Sequence, residues 1–281
     1  QPYKVAIDKG FFEKEGLHVR MIRFRGTNLM LAALMSGDLD YMTILPFTAG
    51  AAVRGVPVKI LGSVTKSSTV AMISRPEIAN LKGLRGKKIG INSFGSSVDY
   101  TAYAALSRSG LDPSKDVNIV MAGGGNVDRI TALASGSIDA TVVSSPFEYQ
   151  AEKQGLKTLI SAKDLGALVS IPITGIVATH KKIEREPDEI VRILRALRAA
   201  MQVLQEQPQF SAGLFETVMH LDRPTGEKMY GLVRDQYNPE LTLPDSVVND
   251  LLAVGTFRSK EKTAVNLQTV RDWSFAEKAK R

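Results

Sequence analysis

Gly26-Thr27-Asn28-Leu29-Met30-Leu31-Ala32-Ala33-Leu34-Met35-Ser36-Gly37-Asp38-Leu39-Asp40 decides the reading of this chain, because its pattern returns 99 residues later as Gly125-Asn126-Val127-Asp128-Arg129-Ile130-Thr131-Ala132-Leu133-Ala134-Ser135-Gly136-Ser137-Ile138-Asp139. Each copy is a glycine turn, a helix with apolar periodicity, a Ser-Gly stop and an Asp ahead of a short apolar strand. Each then reaches Pro-Phe, at Pro46-Phe47 and at Pro146-Phe147, with one extra residue in the second copy. A period this long excludes short solenoid repeats and points to two related lobes.

The flanking segments extend the pattern. Residues 3–15 read as a helix stopped at Gly16, and His18–Phe24 as the strand after it. Residues 28–35 are the first repeat helix, and strands are expected at Tyr41–Leu45, Val58–Leu61 and Val70–Ile73. Lys88–Ile91 opens a second α/β unit, with a helix near 97–109 and strands at 117–121, 140–143 and 157–160. Beyond Ile176–Ala178 the pattern is helical to the end. Pro187 starts a helix whose Ile190, Ile193, Leu194, Leu197, Met201 and Leu204 share one face. Alternating helices and strands predict α/β architecture with largely parallel sheets.

In open parallel sheets, ligands collect outside the carboxyl ends of strands, beside helix N-termini. Matched loops on two lobes are expected to meet across a cleft lined by Thr27, Phe47, Thr48, Phe94, Ser96, Ser97, Asn126, Ser145, Phe147 and Thr174. Taken singly, a serine at a helix start also serves as a plain cap, and the phenylalanines also suit a core. Together they offer hydroxyls, an amide, three aromatic faces and helix N-termini. Helix N-termini favour negative charge by roughly 0.3–1 kcal/mol, and three aromatic rings suit an organic body rather than a bare inorganic oxyanion. The expected ligand is therefore a small organic anion, a sulfonate or carboxylate with an apolar or aromatic portion. No acidic residue is placed in the cleft, Glu148 and Asp128 being the nearest, which counts against an amine and ranks the organic anion ahead of a neutral pyrimidine or a cation.

Composition narrows the alternatives. The 281 residues are 44% hydrophobic and 23% charged, an ordinary globular mixture, and no apolar run approaches the roughly 20 residues of a membrane-spanning helix. Cysteine is absent, which removes disulfides and thiolate chemistry. The net charge of +7 is spread between an early group (Lys4, Lys9, Lys14, Arg20, Arg23, Arg25) and a later one (Lys181, Lys182, Arg185, Arg192, Arg195, Arg198). The later group reads as the solvated side of an amphipathic helix, and with no nucleic-acid-binding motif a nucleic-acid partner is not expected. His18, His180 and His220 lie far apart without metal-site spacing, and no Gly-x-Ser-x-Gly elbow or P-loop is present. Asp40 and Asp139 occupy equivalent places where turn and capping roles suffice. No catalytic, cofactor or metal site is expected. Gln1-Pro2-Tyr3-Lys4-Val5-Ala6 shows no export signal.

The chain also resembles the solute-binding proteins of ABC importers, in the branch that binds sulfonates, taurine, nitrate and thiamine-pyrimidine precursors. The resemblance is carried by Ala6-Ile7-Asp8-Lys9-Gly10-Phe11-Phe12-Glu13-Lys14-Glu15-Gly16-Leu17-His18-Val19, by Ala33–Asp40, by Asn80-Leu81-Lys82-Gly83-Leu84-Arg85-Gly86-Lys87-Lys88-Ile89-Gly90, by Ser93–Asp99 and by Leu133–Asp139, and extends to Asp272-Trp273-Ser274-Phe275. It implies a two-lobed, type II periplasmic-binding-protein-like α/β fold with a central ligand cleft and two hinge strands, near Ser68–Met72 and Thr174–Ala178. Lobe I is then 1–69 with 179–281, and lobe II is 70–178. It further implies ligand capture by lobe closure, delivery to a membrane permease, and a periplasmic or extracellular membrane-associated location. Members of this branch have a strand before the Pro2-to-Gly16 helix, so lobe I is expected to show an unpaired gap in its sheet or a strand from another chain. Enzymes on the same fold, a pyrimidine synthase or small dehydratases, are the alternative; the synthase uses a cysteine-rich motif that this chain lacks. A ligand-sensing domain is the third class.

Overall fold

The computed structural model describes residues 1–24, 26–169, 171–219, 221–257 and 265–281. Proline suits a helix start, where its missing N–H is no loss, and Pro2 opens α1 (Pro2–Asp8). The helix expected over 3–15 is broken, because Gly10 takes a left-handed φ of 66° and the chain restarts as α2 (Phe11–Lys14). The strand expected at His18–Phe24 does not form. Residues 18–24 join no strand ladder among the described residues, and Met21 and Ile22 are 55% and 53% exposed. A strand pattern without a neighbour to complete its ladder stays irregular.

The chain continues through α3 (Thr27–Ser36), β1 (Met42–Ile44), α4 (Leu45–Val53) and β2 (Val58–Ser63). Pro46-Phe47-Thr48 thus sits in the first turn of α4 and not in a loop, again because proline fits a helix start. Next come β3 (Val70–Ser74), β4 (Lys88–Ile91), α5 (Ser97–Arg108), β5 (Asn118–Met121), α6 (Asn126–Ala134), β6 (Ala140–Ser144), α7 (Phe147–Glu152), β7 (Lys157–Ile160) and α8 (Ala162–Leu168). The remainder is β8 (Thr174–Thr179), α9 (His180–Arg185), α10 (Pro187–Glu206), α11 (Pro208–Met219), α12 (Arg223–Val233), α13 (Asp245–Thr256), α14 (Leu267–Val270) and α15 (Ser274–Lys278).

These elements form two units. One comprises Gln1–Ser67, Ile171–Gly255 and Ser259–Arg281; the other comprises Ser68–Ser170 with Thr256–Arg258. In the first, β8 is the central strand of a sheet ordered β1-β8-β2 and runs antiparallel to both neighbours. That pairing places β8 wholly in the first unit, so the second boundary falls before it and not after Ala178. The other sheet is ordered β5-β4-β6-β3-β7. There β4 is parallel to β5 and β6, while β3 is antiparallel to β6 and β7. The first sheet is therefore antiparallel and the second mixed, so neither is largely parallel, because β8 runs against β1 and β2 and β3 runs against β6 and β7.

Each unit has its own core. The apolar face of α10, including Ile190, Ile193, Leu194, Leu197, Met201 and Leu204, is buried with Val5, Phe12, Leu61 and Ile176. In the second unit Met72 and Val142 enter one cluster, with Ile89 and Leu106, while the adjacent Ile73 and Val143 enter another, with Ile130 and Leu133. Successive strand residues face opposite ways, so this sheet is covered on both faces. The sequence repeat is also a repeat of geometry. Ser36 Oγ donates to the Ala33 carbonyl and Ser135 Oγ to that of Ala132, both at 3.1 Å. Leu39 N–H and Ile138 N–H reach the same two carbonyls at 3.0 and 3.3 Å. Gly37 and Gly136 end their helices at φ of 90° and 75°.

Candidate functional site

Parallel pairing of β4 with β5 and β6 brings the carboxyl ends of all three strands to one edge. Three loops leave that edge: Asn92–Ser96 into α5, Ala122–Gly125 into α6, and Ser145-Pro146 into α7. Of the ten residues expected from sequence, Phe94, Ser96, Ser97, Asn126, Ser145 and Phe147 belong here.

Ser96 is the cap of α5. It is 7% exposed, accepts from Asp99 N–H at 3.2 Å and donates to Asn92 Oδ1 at 2.5 Å. Asp99, fully buried, returns a carboxylate oxygen to the N–H of Gly95, the residue before the cap, at 2.8 Å. The α5 terminus is thus partly neutralised by its own carboxylate, and Ser96 serves the helix. The Ser-x-x-Asp spacing of Ser96 and Asp99 was the signal for this. Ser97 is the first helical residue beside it, and Phe94 is 54% exposed.

At α6 the geometry differs. Asn126 Oδ1 accepts from Arg129 Nη2 at 2.9 Å and from Ser144 N–H at 3.2 Å. The Arg129 guanidinium also donates to Thr141 Oγ1, the Gly125 carbonyl and the Val142 carbonyl at 3.2, 3.0 and 3.1 Å. Arg129 is 2% exposed, and burial pushes its pKa down to about 10, opposed by the nearby Asp128 carboxylate. Asp128 itself closes the first turn through Gly125 N–H at 2.9 Å. Gly123 is required here: its φ is 101°, and a Cβ would lie 2.4 Å from that of Asp128. Sequence reasoning singled out Asn126 and passed over Arg129 beside it.

At α7, Ser145 Oγ donates to Glu148 Oε1 at 2.7 Å, and Glu148 is 4% exposed. An acidic group is therefore seated against an expected ligand residue, and the Ser145 hydroxyl proton is committed to it. Phe147 is half-buried against the cluster that contains Ile73 and Val143.

In the first unit, Thr174 starts β8 opposite Ile44, and its carbonyl accepts from Val64 N–H at 3.0 Å. Phe47 is half-buried in α4, and Thr27 is the first residue of α3. Thr48 is fully buried, and its hydroxyl donates to the Ile44 carbonyl at 2.6 Å, which makes it a packing residue. A cavity of about 430 Å³ lies elsewhere in this unit, between β1, residues 16–22 and the start of α10. Tyr3, His18, Tyr41 and Arg192 line it, and none of the ten expected residues does. At its rim Lys182 Nζ reaches Asp40, Glu186 and Glu189 at 3.3, 2.8 and 2.8 Å. Burial disfavours that ammonium, but its hydrogen bonds to the three carboxylates outweigh burial and raise its pKa. Asp139, the repeat partner of Asp40, instead accepts from Lys88 N–H at 2.8 Å. His180 begins α9 on the surface; Arg25 and His220 lie outside the described residues.

Comparison with known proteins adds five findings. A family profile described as NMT1/THI5 like matches residues 1–211. A Bacillus subtilis (strain 168) protein named for aliphatic sulfonate binding is 26% identical over 292 residues, which covers 99% of this chain and 84% of that protein. The 4-amino-5-hydroxymethyl-2-methylpyrimidine phosphate synthase of Schizosaccharomyces pombe is 24% identical over 253 residues, 84% of this chain and 69% of the enzyme. Among solved structures, the alkanesulfonate-binding protein SsuA of Xanthomonas axonopodis pv. citri bound to MOPS superposes with a TM-score of 0.78 at 16% identity, over 96% of this chain and 94% of that one. A Candida albicans protein described as having the generic periplasmic binding protein structural fold gives 0.78 at 12% identity, over 96% and 92%. The fold is therefore the periplasmic-binding-protein fold.

Proposed function

The chain belongs to the NMT1/THI5-like family, and from that premise we propose that it is the solute-binding component of an ABC importer. Its ligand is a small organic anion, a sulfonate or carboxylate on an apolar or aromatic body. The alignment with the Bacillus subtilis sulfonate-binding relative, which runs over 99% of the chain, carries the reading. The strand-end loops of the second unit support it: the Asn126 amide stands beside a buried guanidinium, and Phe94 offers an exposed ring. Thr27, Phe47 and Thr174 are the contributions of the first unit, and capture proceeds by closure of the two lobes followed by delivery to a permease outside the cytoplasm. Closure gains only from tighter binding in the closed state.

Calorimetric titration with benzenesulfonate, pentanesulfonate and benzoate, against nitrate and a polyamine, tests the proposal. Saturable binding within the organic anions is expected. Selective binding of nitrate or the polyamine, with no response to the organic anions, overturns it. The pyrimidine synthase relative supplies a second reading, an enzyme on this fold. Recovering the ligand after prolonged incubation separates them, since a binding protein returns it unchanged. The absence of cysteine favours the binder, because the synthases this chain resembles depend on a cysteine-rich motif.

A further inference from the structure

We infer that Arg129 is a positioning residue for anion recognition: its buried guanidinium fixes the Asn126 side chain so that the amide N–H groups are presented to an anionic oxygen of the ligand. This deepens, and rests on, the organic-anion reading above.

Two observations carry it. The first is a buried charge with no direct ion pair. Arg129 is 2% exposed, and its four acceptors, Thr141 Oγ1, the carbonyls of Gly125 and Val142, and Asn126 Oδ1, are all uncharged. Among the described residues it has no ion-pair partner; the neighbouring Asp128 is exposed and spends its carboxylate on Gly125 N–H. A cation buried without a counter-ion is costly, and four well-directed hydrogen bonds hold it here nonetheless. The second is the orientation of the amide. Asn126 Oδ1 takes two donors, Arg129 Nη2 and Ser144 N–H, so the planar group is pinned by its oxygen. Its two N–H groups have no partner among the described residues. They stand at the strand-end edge, next to a fixed positive charge and the first turn of α6. An oxygen bearing negative charge suits the two N–H groups and the guanidinium, while the α6 turn is partly neutralised by Asp128; a donor group such as an ammonium is opposed by both the N–H groups and the guanidinium.

The repeat sharpens the point. In the shared register Thr27 stands for Asn126 and Met30 for Arg129. The first copy keeps a polar residue at the helix start and has an uncharged Met30 at the arginine position. Recognition of negative charge by this device is thus specific to the second unit.

The test compares benzenesulfonate with benzenesulfonamide, its neutral near-isostere, by calorimetry, with thermal unfolding run in parallel. The wild type is expected to prefer the sulfonate at least tenfold. Asn126→Asp puts a carboxylate against Arg129: the expected result is an unfolding midpoint unchanged or raised, with sulfonate affinity reduced at least tenfold. Arg129→Gln keeps a donor for Asn126 Oδ1 and removes the charge, and is expected to bring the sulfonate-to-sulfonamide ratio toward one; Arg129→Lys, which keeps the charge, is expected to retain more of that ratio than Gln. Should Arg129→Gln fail to fold, the Asn126→Asp result decides alone. Wild-type affinity in a folded Asn126→Asp protein, or an unchanged ratio in Arg129→Gln, overturns this assignment and leaves the organic-anion reading standing. No binding of either compound by the wild type, with no response to pentanesulfonate or benzoate, overturns both.

Discussion

Thr48 and Phe94 occupy matched expectations and different physical situations. The Thr48 hydroxyl is committed to the Ile44 carbonyl inside a fully buried turn. Thr48→Val is expected to cost about 1 kcal/mol of stability in urea unfolding while leaving benzenesulfonate affinity unchanged; reduced affinity at intact stability would return Thr48 to the site. Phe94 is 54% exposed, so Phe94→Ala is expected to change stability by less than about 0.5 kcal/mol and to weaken benzenesulfonate binding several-fold. If calorimetry shows equal affinity, the ring is not a ligand contact. The site was partly legible at this scale. Asn126 was singled out because two copies of one motif placed polar residues at equivalent helix starts. Arg129 escaped because a basic residue in an amphipathic helix is ordinarily solvated, and only comparison with Met30 marks it as out of pattern. Glu148 was recognised as near the loops, but nothing in sequence spacing states that α7 buries it against Ser145.

Elements whose cause is local were readable, as were the strands expected at Val58–Leu61, Val70–Ile73, Lys88–Ile91, 117–121, 140–143 and 157–160; the direction of pairing and the lack of a partner for one strand pattern were not. The Ser-Gly helix stops at Gly37 and Gly136 and the proline start of α10 need only neighbouring residues. The alternating pattern of His18–Phe24 needs a partner strand, and without one it remains irregular. The backbone amides of residues 18–22 are accordingly expected to exchange with deuterium far faster than those of Ile60 and Val177, which lie paired in the β2–β8 ladder; equal protection would mean that residues 18–22 are paired in solution. Lys182 supplies a second prediction for the same unit. It is mostly buried, joins α9 to α10 and the β1 approach, and is the shared cation for Asp40, Glu186 and Glu189, while Tyr41 donates to Glu189 at 2.7 Å. Burial works against the Glu189 carboxylate, yet Lys182 and Tyr41 hold its pKa below the usual value. A depressed carboxylate contributes stability above its ordinary range near 4.3 and loses it as pH falls; a raised lysine contributes below its ordinary range near 10.4 and loses it as pH rises. Lys182→Met is therefore expected to cost roughly 1–2 kcal/mol near pH 7, with Asp40 contributing least because it is the most exposed. The difference from wild type should shrink below about pH 4. A deficit independent of pH would assign the loss to packing of the lysine stem.

At the scale of the whole molecule, each unit has its own sheet and its own buried clusters, so each has the means to unfold as a block. The chain passes between units more than once, and Phe257 joins the second unit, with its ring edge-on to Tyr100 and Tyr103 at 5.4 and 5.3 Å. Ligand binding distinguishes capture by both units from binding by one. A ligand present at a hundredfold excess over its Kd stabilises the native state by about 2.7 kcal/mol, or roughly 5–10 °C in midpoint for units of this size. If both units hold it, unfolding of either releases it, so the stabilisation falls on whichever unit unfolds first, and that step can rise only until it meets the other. If the second unit alone holds it, that unit's step rises independently and can pass the other. The single tryptophan, Trp273, belongs to the first unit and reports its unfolding. Scanning calorimetry with Trp273 fluorescence, with and without benzenesulfonate, is expected to show the lower of two steps climbing toward the upper and the two merging. A second-unit step that climbs past an unmoved Trp273 transition would confine the ligand to the loops around Asn126 and remove Thr27, Phe47 and Thr174 from the site.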